Sequence, residues 1–407
     1  MYHQNQEVNY GDIIMININS QVRFWILVGI VAISGYSQGM LLPLIAIIFE
    51  EDGLSSSLNG FHATALYIGV LLVSPFMEGV LRKVGYKPII LTGGIAVVLS
   101  IALFPIWKSF WFWFVLRLII GIGDHMLHFG TQTWITYLSP ANKRGRNLSL
   151  YGLFFGLGFA AGPYMTRLVH VNEALPFIVA SLVSLAGWLT VWLLKNEFPE
   201  KTTEKDSFFS TFKRFNQVFK YAWVAFLPPF GYGFLEASLN GNFPVYALRN
   251  GIDVSGVSII LPSFAIGGII FQLPLGMLSD YFGRKHVLTT IMLLGFVSFT
   301  SAGLLQDSVI GLTISFFIAG MLVGSTFSLG ISYMADLLPR ELLPAGNLMC
   351  GIFYSIGSIS GPFIGGLAIQ FLPEGSFFYC LSLMLLFIFI ALTLFRVEHT
   401  TEAKASG

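Results

Sequence analysis

The stretch "FFYCLSLMLLFIFIALTLF", residues 377–395, holds no charged side chain. At 1.5 Å per residue it forms a helix about 28 Å long, close to the roughly 30 Å of hydrocarbon in a bilayer. A spanning segment must satisfy its own backbone hydrogen bonds, and no alternating barrel pattern is visible, so the segment reads as a membrane helix. Runs of similar length and character occur about twelve times, near 24–49, 57–80, 88–106, 109–138, 144–170, 174–195, 219–248, 255–279, 286–306, 308–336, 343–371 and 376–396. The fold class expected is therefore all-α, with twelve membrane spans. Composition agrees: 55% of the 407 residues are hydrophobic and 11% charged, against roughly 25% charged in a soluble domain.

The net charge of +1 gives no reason to expect a nucleic-acid partner, so the placement of charge matters more than its sum. With the N-terminus in the cytoplasm, all but four of the 22 Lys and Arg fall on the cytoplasmic side; the four are Lys108, Arg117, Arg167 and Arg249. Both termini are thus expected inside. The polar first twenty residues show no cleavable signal peptide, and the first span is expected to act as the insertion signal. Two cysteines, Cys350 and Cys380, lie in apolar segments and suggest neither a disulfide framework nor a metal cluster.

The longest polar segment, "KNEFPEKTTEKDSFFSTFKRF", divides the spans six and six. The expected organisation is a bundle over 1–195, a cytoplasmic linker over 196–218, and a second bundle with its tail over 219–407. The halves share a period: Pro140 and Pro339 are 199 residues apart, as are the pairs Gly162-Pro163 and Gly361-Pro362, and Gly85 and Gly283 are 198 apart. Such duplication in a transporter places the substrate between the repeats near the midplane.

"GMLSDYFGRK", Gly276 to Lys285, resembles the loop signature of the major facilitator superfamily, with Gly276, Asp280, Gly283, Arg284 and Lys285 at the signature positions. The resemblance covers nearly the whole chain and implies the major facilitator fold of two pseudo-symmetric six-helix bundles. It also implies a cytoplasmic gate in which Asp280 meets Arg340. The first-half counterpart, "EGVLRKVGYK", departs from the pattern, with Glu78 and Arg82 where glycine and aspartate are expected; their spacing allows an i,i+4 pair. "RLIIGIG", from Arg117, and "GFAAGP", Gly158 to Pro163, resemble signatures of the family's proton-coupled drug exporters. The latter is followed by "YMTR" in place of two more glycines, and the full form, "GSISGPFIGG", stands in the eleventh span. Gly158, Gly162, Pro163, Gly357, Gly361 and Pro362 are equally explained as devices for close helix packing.

The stretch "GIGDHMLHFG", residues 121–130, sets an aspartate and two histidines inside an apolar span. A carboxylate at a span's centre costs about 3 kcal/mol on insertion scales, so it needs a purpose. Arg117, Gly121, Asp124, His128 and Gln132 share one helical face. The seventh span carries Glu236 and, one turn on, Asn240. The first span contributes Tyr36, Ser37 and Gln38, and the tenth Ser325, Thr326 and Ser328. In the resembling family, spans 1, 4, 7 and 10 line the central cavity. A carboxylate that faces water in one state and is desolvated in another can couple a proton to the cycle. Glu236, with no basic residue near it in its span, is expected to be the main coupling group and Asp124 the second, with His125 and His128 as relays. The alternative for Asp124 is a structural pairing with Arg117 or a histidine. Asp124 and His128 also have a spacing that suits a metal, so a metal-chelate carrier stays open.

No P-loop or HExxH sequence is present, so neither an ATP-driven pump nor a metallohydrolase is expected. The expectation is a non-enzymatic, cofactor-free, monomeric secondary transporter in a bacterial plasma membrane, exchanging protons for small amphipathic drugs or metabolites. The alternatives are a proton-coupled importer of a sugar or organic acid, and a transport-inactive sensor.

Overall fold

The computed structural model describes residues 20–139, 144–199, 208–339, 342–373 and 376–395. Among them every regular element is helical. Ten helices or helix pairs are long and apolar enough to cross a membrane. The two other expected spans are helical in pieces. The fifth runs as an α-helix to Ala161 and continues as a 3₁₀ turn over Gly162–His170, with Pro163 at its start. The seventh is divided at Asn242, two residues before Pro244. Proline lacks the N–H an α-helix needs and crowds the preceding turn, so both interruptions fall beside a residue that favours them.

The chain forms two compact units. The first takes the described residues up to Leu41, then Ala65 to the start of the polar linker; the second takes Leu42–Thr64 and the described residues after the linker. The helices, in chain order, begin with α1 (Ser20–Glu51), α2 (Ser56–Ala63) and α3 (Ala65–Val73). Next come α4 (Met77–Val84), α5 (Tyr86–Leu103), α6 (Phe110–Leu138), α7 (Arg144–Ala161) and α8 (Leu175–Thr190). After the linker follow α9 (Phe208–Ala222), α10 (Leu227–Gly241), α11 (Phe243–Arg249), α12 (Val254–Phe282) and α13 (Arg284–Leu304). The last described helices are α14 (Val309–Val323), α15 (Thr326–Leu337), α16 (Leu343–Phe371) and α17 (Ser376–Leu394).

In the first unit the glycines of α7 and its 3₁₀ extension pack on α1. A methyl group on Gly158 would overlap the Ala32 carbonyl, and one on Gly162 would strike the backbone of Gly39 and Met40. The second unit repeats the arrangement: Gly357 and Gly361 of α16 lie on the carbonyls of Phe230 and Phe234 in α10. Backbone contact of this kind is what small residues permit in lipid, where hydrophobicity alone does not hold helices together. The paired loops repeat too. Gly85, between α4 and α5, has φ +84°, and Gly283, between α12 and α13, has φ +90°, a region that strongly favours glycine.

The segment Leu42–Thr64 is fastened inside the second unit. Gly60 of α2 meets the Pro362 carbonyl and Ser56 meets Gly366, both in α16. The same Pro362 carbonyl accepts a hydrogen bond from Asn242 Nδ2 at 3.0 Å. Arg249 pairs with Glu50 through Nε at 2.6 Å and Nη2 at 3.2 Å. Helix α2 starts at an N-cap, where Ser55 Oγ accepts from the Leu58 N–H.

Candidate functional site

Each unit holds a carboxyl group within a spanning helix, buried at Asp124 and half-buried at Glu236. In the first, Asp124 is 3% exposed. Its Oδ1 accepts a hydrogen bond from Ser34 Oγ of α1 at 2.8 Å. Its Oδ2 is buried with no hydrogen-bond partner among the described residues. Ser34 Oγ also lies 3.1 Å from His128 Nε2. Gln38, one turn along α1, places Nε2 at 3.3 Å from both Ser34 Oγ and His128 Nε2. On the other side of the ring, His128 Nδ1 is 2.6 Å from the Tyr151 hydroxyl of α7. The Phe155 ring stands edge-on to His128 at 5.0 Å.

This differs from the direct carboxylate–imidazole contact suggested by the i,i+4 spacing, because Ser34 stands between the two groups. Arg117, 2% exposed and two turns away on α6, is not a partner of Asp124 either. His125 leaves the cluster, and its Nε2 meets Ser74 Oγ at 3.1 Å. Both nitrogens of His128 are thus engaged by neutral groups. No group of three His, Cys, Asp or Glu able to hold a metal occurs among the described residues.

In the second unit Glu236 Oε2 accepts from the Tyr354 hydroxyl of α16 at 2.7 Å. Tyr354 belongs to an aromatic group: its ring stacks with Tyr232 at 6.2 Å and meets Phe327 edge-on at 5.3 Å. Asn240 turns away from the carboxylate, and its Nδ2 donates to the Glu236 backbone carbonyl at 2.8 Å.

The hydroxyls of the tenth span serve their own helix. Thr326 Oγ1 bonds the Val323 carbonyl at 2.7 Å and Ser328 Oγ the Ser325 carbonyl at 3.0 Å. Ser325 itself is buried at the junction of α14 and α15. In the first span Ser37 pairs with Ser184 of α8 at 2.8 Å. Tyr36 is half-buried, its backbone against Gly158 and Gly162.

At the loop signature, Arg284 at the start of α13 ties α12 to α15, meeting Asp280 at 3.3 Å on the first and Asp336 at 3.0 Å and the Ser332 carbonyl at 2.6 Å on the second. Gly276 faces open space. Arg340 lies outside the described residues, as does the side chain of Glu78, and Arg82 is exposed. The degenerate first-half loop is secured by the first residues of the expected linker. Asn196 Nδ2 donates to the Val84 carbonyl at 2.9 Å, its Oδ1 accepts from the Lys87 N–H at 3.1 Å, and the Glu197 carbonyl accepts from the Tyr86 N–H at 3.0 Å. The Glu197 carboxylate joins Arg23 of α1 at 2.5 Å to Trp134 Nε1 of α6 at 2.7 Å. The two loops share one feature: Lys87 Nζ reaches the Trp192 carbonyl at 2.9 Å, and Lys285 Nζ reaches the Phe395 carbonyl at 2.5 Å.

Ser34, Tyr151, Glu197 and Tyr354 were not singled out in the sequence. Ser34 precedes Gln38 by one turn and so shares its face, the one signal available for it. The other three carry none.

A sequence profile described as Major Facilitator Superfamily matches residues 27–253 and 229–407. The MFS-type transporter YfkF of Bacillus subtilis (strain 168) is 58% identical over 386 residues, 95% of this chain and 98% of that protein. Multidrug resistance protein 1 of the same organism is 27% identical over 369 residues, covering 88% and 91% of the two chains. Among solved structures, the nucleoside transporter NupG aligns with a TM-score of 0.72 at 14% identity, over 93% of this chain and all of that one. A bacterial homologue of the human lysosomal transporter Spinster aligns at 0.68 and 14% identity, over 92% and 95%. With nearly its whole length matched by the profile and by a 58% identical relative, the chain belongs to the major facilitator superfamily.

Proposed function

We propose that this transporter is a proton-coupled antiporter that exports small amphipathic drugs or metabolites by alternating access. It acts as a monomer in the bacterial plasma membrane, with both termini in the cytoplasm. The observation that carries the reading is Asp124: a carboxyl group buried among apolar helices, with one serine hydroxyl on Oδ1 and no donor on Oδ2. One donated hydrogen bond compensates little of the cost of a buried negative charge. The site as built suits a carboxyl group that carries a proton and loses it when the cycle admits water.

Glu236 takes a second role in this reading. Its Oε2 accepts from the Tyr354 hydroxyl, and the Tyr354 ring packs with Tyr232 and Phe327, so a carboxylate and an aromatic group stand together where charge and ring quadrupole can both attract an organic cation. The sequence ranks Glu236 first for coupling; the geometry favours Asp124 for the proton and Glu236 for the substrate. The 27% identical multidrug resistance protein gives this direction further support.

Exchange of one proton for one monovalent cation moves no net charge. Each unit of pH difference, about 1.4 kcal/mol, then sustains about a tenfold substrate gradient. The test is ethidium uptake into proteoliposomes under an imposed pH gradient. Wild type should accumulate ethidium in proportion to that gradient, Asp124→Asn should exchange ethidium without responding to pH, and Glu236→Gln should lose ethidium binding. Undiminished pH-driven accumulation in Asp124→Asn would refute the assignment.

A further inference from the structure

We propose that Ser34, His128 and Tyr151 form a hydrogen-bonded path that carries the proton of Asp124 toward the Leu138 end of α6. The proposal rests on the reading of Asp124 as the coupling carboxyl group.

The contacts are consecutive: Asp124 Oδ1 to Ser34 Oγ at 2.8 Å, Ser34 Oγ to His128 Nε2 at 3.1 Å, and His128 Nδ1 to the Tyr151 hydroxyl at 2.6 Å. Their polarity follows from Gln38. Its Nε2 can only donate, so His128 Nε2 is the accepting nitrogen and Nδ1 carries the hydrogen, directed at Tyr151. Ser34 has a single hydroxyl hydrogen and two acceptors within reach, Asp124 Oδ1 and His128 Nε2. When Asp124 is ionised, that hydrogen points at the carboxylate. When Asp124 is protonated, the carboxyl hydrogen occupies the same line and the serine hydrogen turns to the imidazole.

One passage balances as follows. Asp124 gives its proton to Ser34 Oγ, Ser34 passes its own hydrogen to His128 Nε2, His128 releases its Nδ1 hydrogen to the Tyr151 oxygen, and Tyr151 gives its phenolic hydrogen to a water molecule. Asp124 ends one proton poorer and water one richer, while the three groups between end with as many hydrogens as they began. Rotation of the hydroxyls and return of His128 to its Nδ1–H form reset the path.

Direction follows from the helices. His128 lies one turn, about 6 Å, nearer to Leu138 than Asp124 does. Tyr151 is two turns into α7, which follows the loop after Leu138. From α1 this cluster receives Ser34 and Gln38, and from α7 it receives Tyr151 and the Phe155 ring. The other titratable groups of α6 lie apart: His125 faces Ser74, Arg117 is buried two turns toward Phe110, and Tyr137 stacks on Tyr86.

The test needs no substrate. In oriented proteoliposomes, infrared difference spectra after a pH jump follow the carboxyl band of Asp124, identified by its loss in Asp124→Asn. Tyr151→Phe and Ser34→Ala each delete one oxygen, and both should slow the band's response by about a hundredfold, the scale of a lost proton-transfer partner. Ser34→Thr keeps the hydroxyl and should restore the rate, whereas a purely structural role for Ser34 would make threonine no better than alanine. If the band titrates and responds equally fast in every variant, the path is refuted and the coupling role of Asp124 stands. If Asp124→Asn removes no titrating band, the coupling reading falls and the path with it.

Discussion

Glu197→Ala tests how the first unit fastens its atypical loop. The carboxylate bridges Arg23 at 2.5 Å and Trp134 Nε1 at 2.7 Å. The Trp134 side chain is 0% exposed, whereas the Arg23 and Glu197 side chains are 20% and 31% exposed. Removing the carboxylate leaves the indole N–H buried without an acceptor, which costs about 2 kcal/mol. Loss of the partly solvated ion pair adds under about 1 kcal/mol. The total of about 2–3 kcal/mol should lower the thermal midpoint by about 4–12 °C for a unit of this size. Glu197→Gln keeps an oxygen for Trp134 and loses only the charge, so it should cost under about 1 kcal/mol.

The assay is thermal unfolding in detergent micelles, run as a double-mutant cycle with Trp134→Phe. That substitution deletes the donor along with part of the ring stacked on Tyr86 at 5.4 Å, and the cycle cancels the packing change. With no indole N–H left to orphan, Glu197→Ala should cost about 2 kcal/mol less in the Trp134→Phe background. A coupling energy under about 0.5 kcal/mol, or a glutamine variant as unstable as the alanine variant, would refute the account.

Two further outcomes are expected. Asp280→Asn should change stability by less than about 0.5 kcal/mol, because Arg284 keeps Asp336 and the Ser332 carbonyl; the gate implied by the loop signature should still raise the reactivity of cysteines introduced at that end, and unchanged reactivity would confine Asp280 to its contact with Arg284. Purified wild-type protein should hold no stoichiometric zinc, and His128→Ala should slow proton transfer without altering the response to chelators, measured by elemental analysis and by transport; zinc retained by wild type and lost in the variant would reverse this.

The helices were legible because the length of an apolar run is fixed by the thickness of the bilayer. The repeat was legible because a left-handed loop glycine and a glycine in a backbone crossing tolerate little substitution; Gly85 and Gly283, or Gly158 and Gly357, show this at matching places. The helical interruptions in the fifth and seventh spans were written as Pro163 and Pro244, but proline also occurs inside continuous helices here, as at Pro262 and Pro274. The residue type therefore did not say which spans would divide.

The candidate site was legible only through its carboxylates, and hydrogen-bond chemistry explains why. A serine, threonine or asparagine in an apolar helix can donate to a carbonyl three or four residues back, and Thr326, Ser328 and Asn240 do so. Their presence marks no site, and a polar residue in a span is weak information about what it faces. A carboxylate has no hydrogen to give, so within its own turn it finds no partner and must recruit a donor from another helix. Asp124 recruits Ser34 from 90 residues away, and Glu236 recruits Tyr354 from 118 away. Tyr354 carries no signal in the sequence and Ser34 only the face it shares with Gln38, so neither could be matched to its acid before the helices were in place. The acid is conspicuous in the sequence and its donor is not; finding the donor requires the fold.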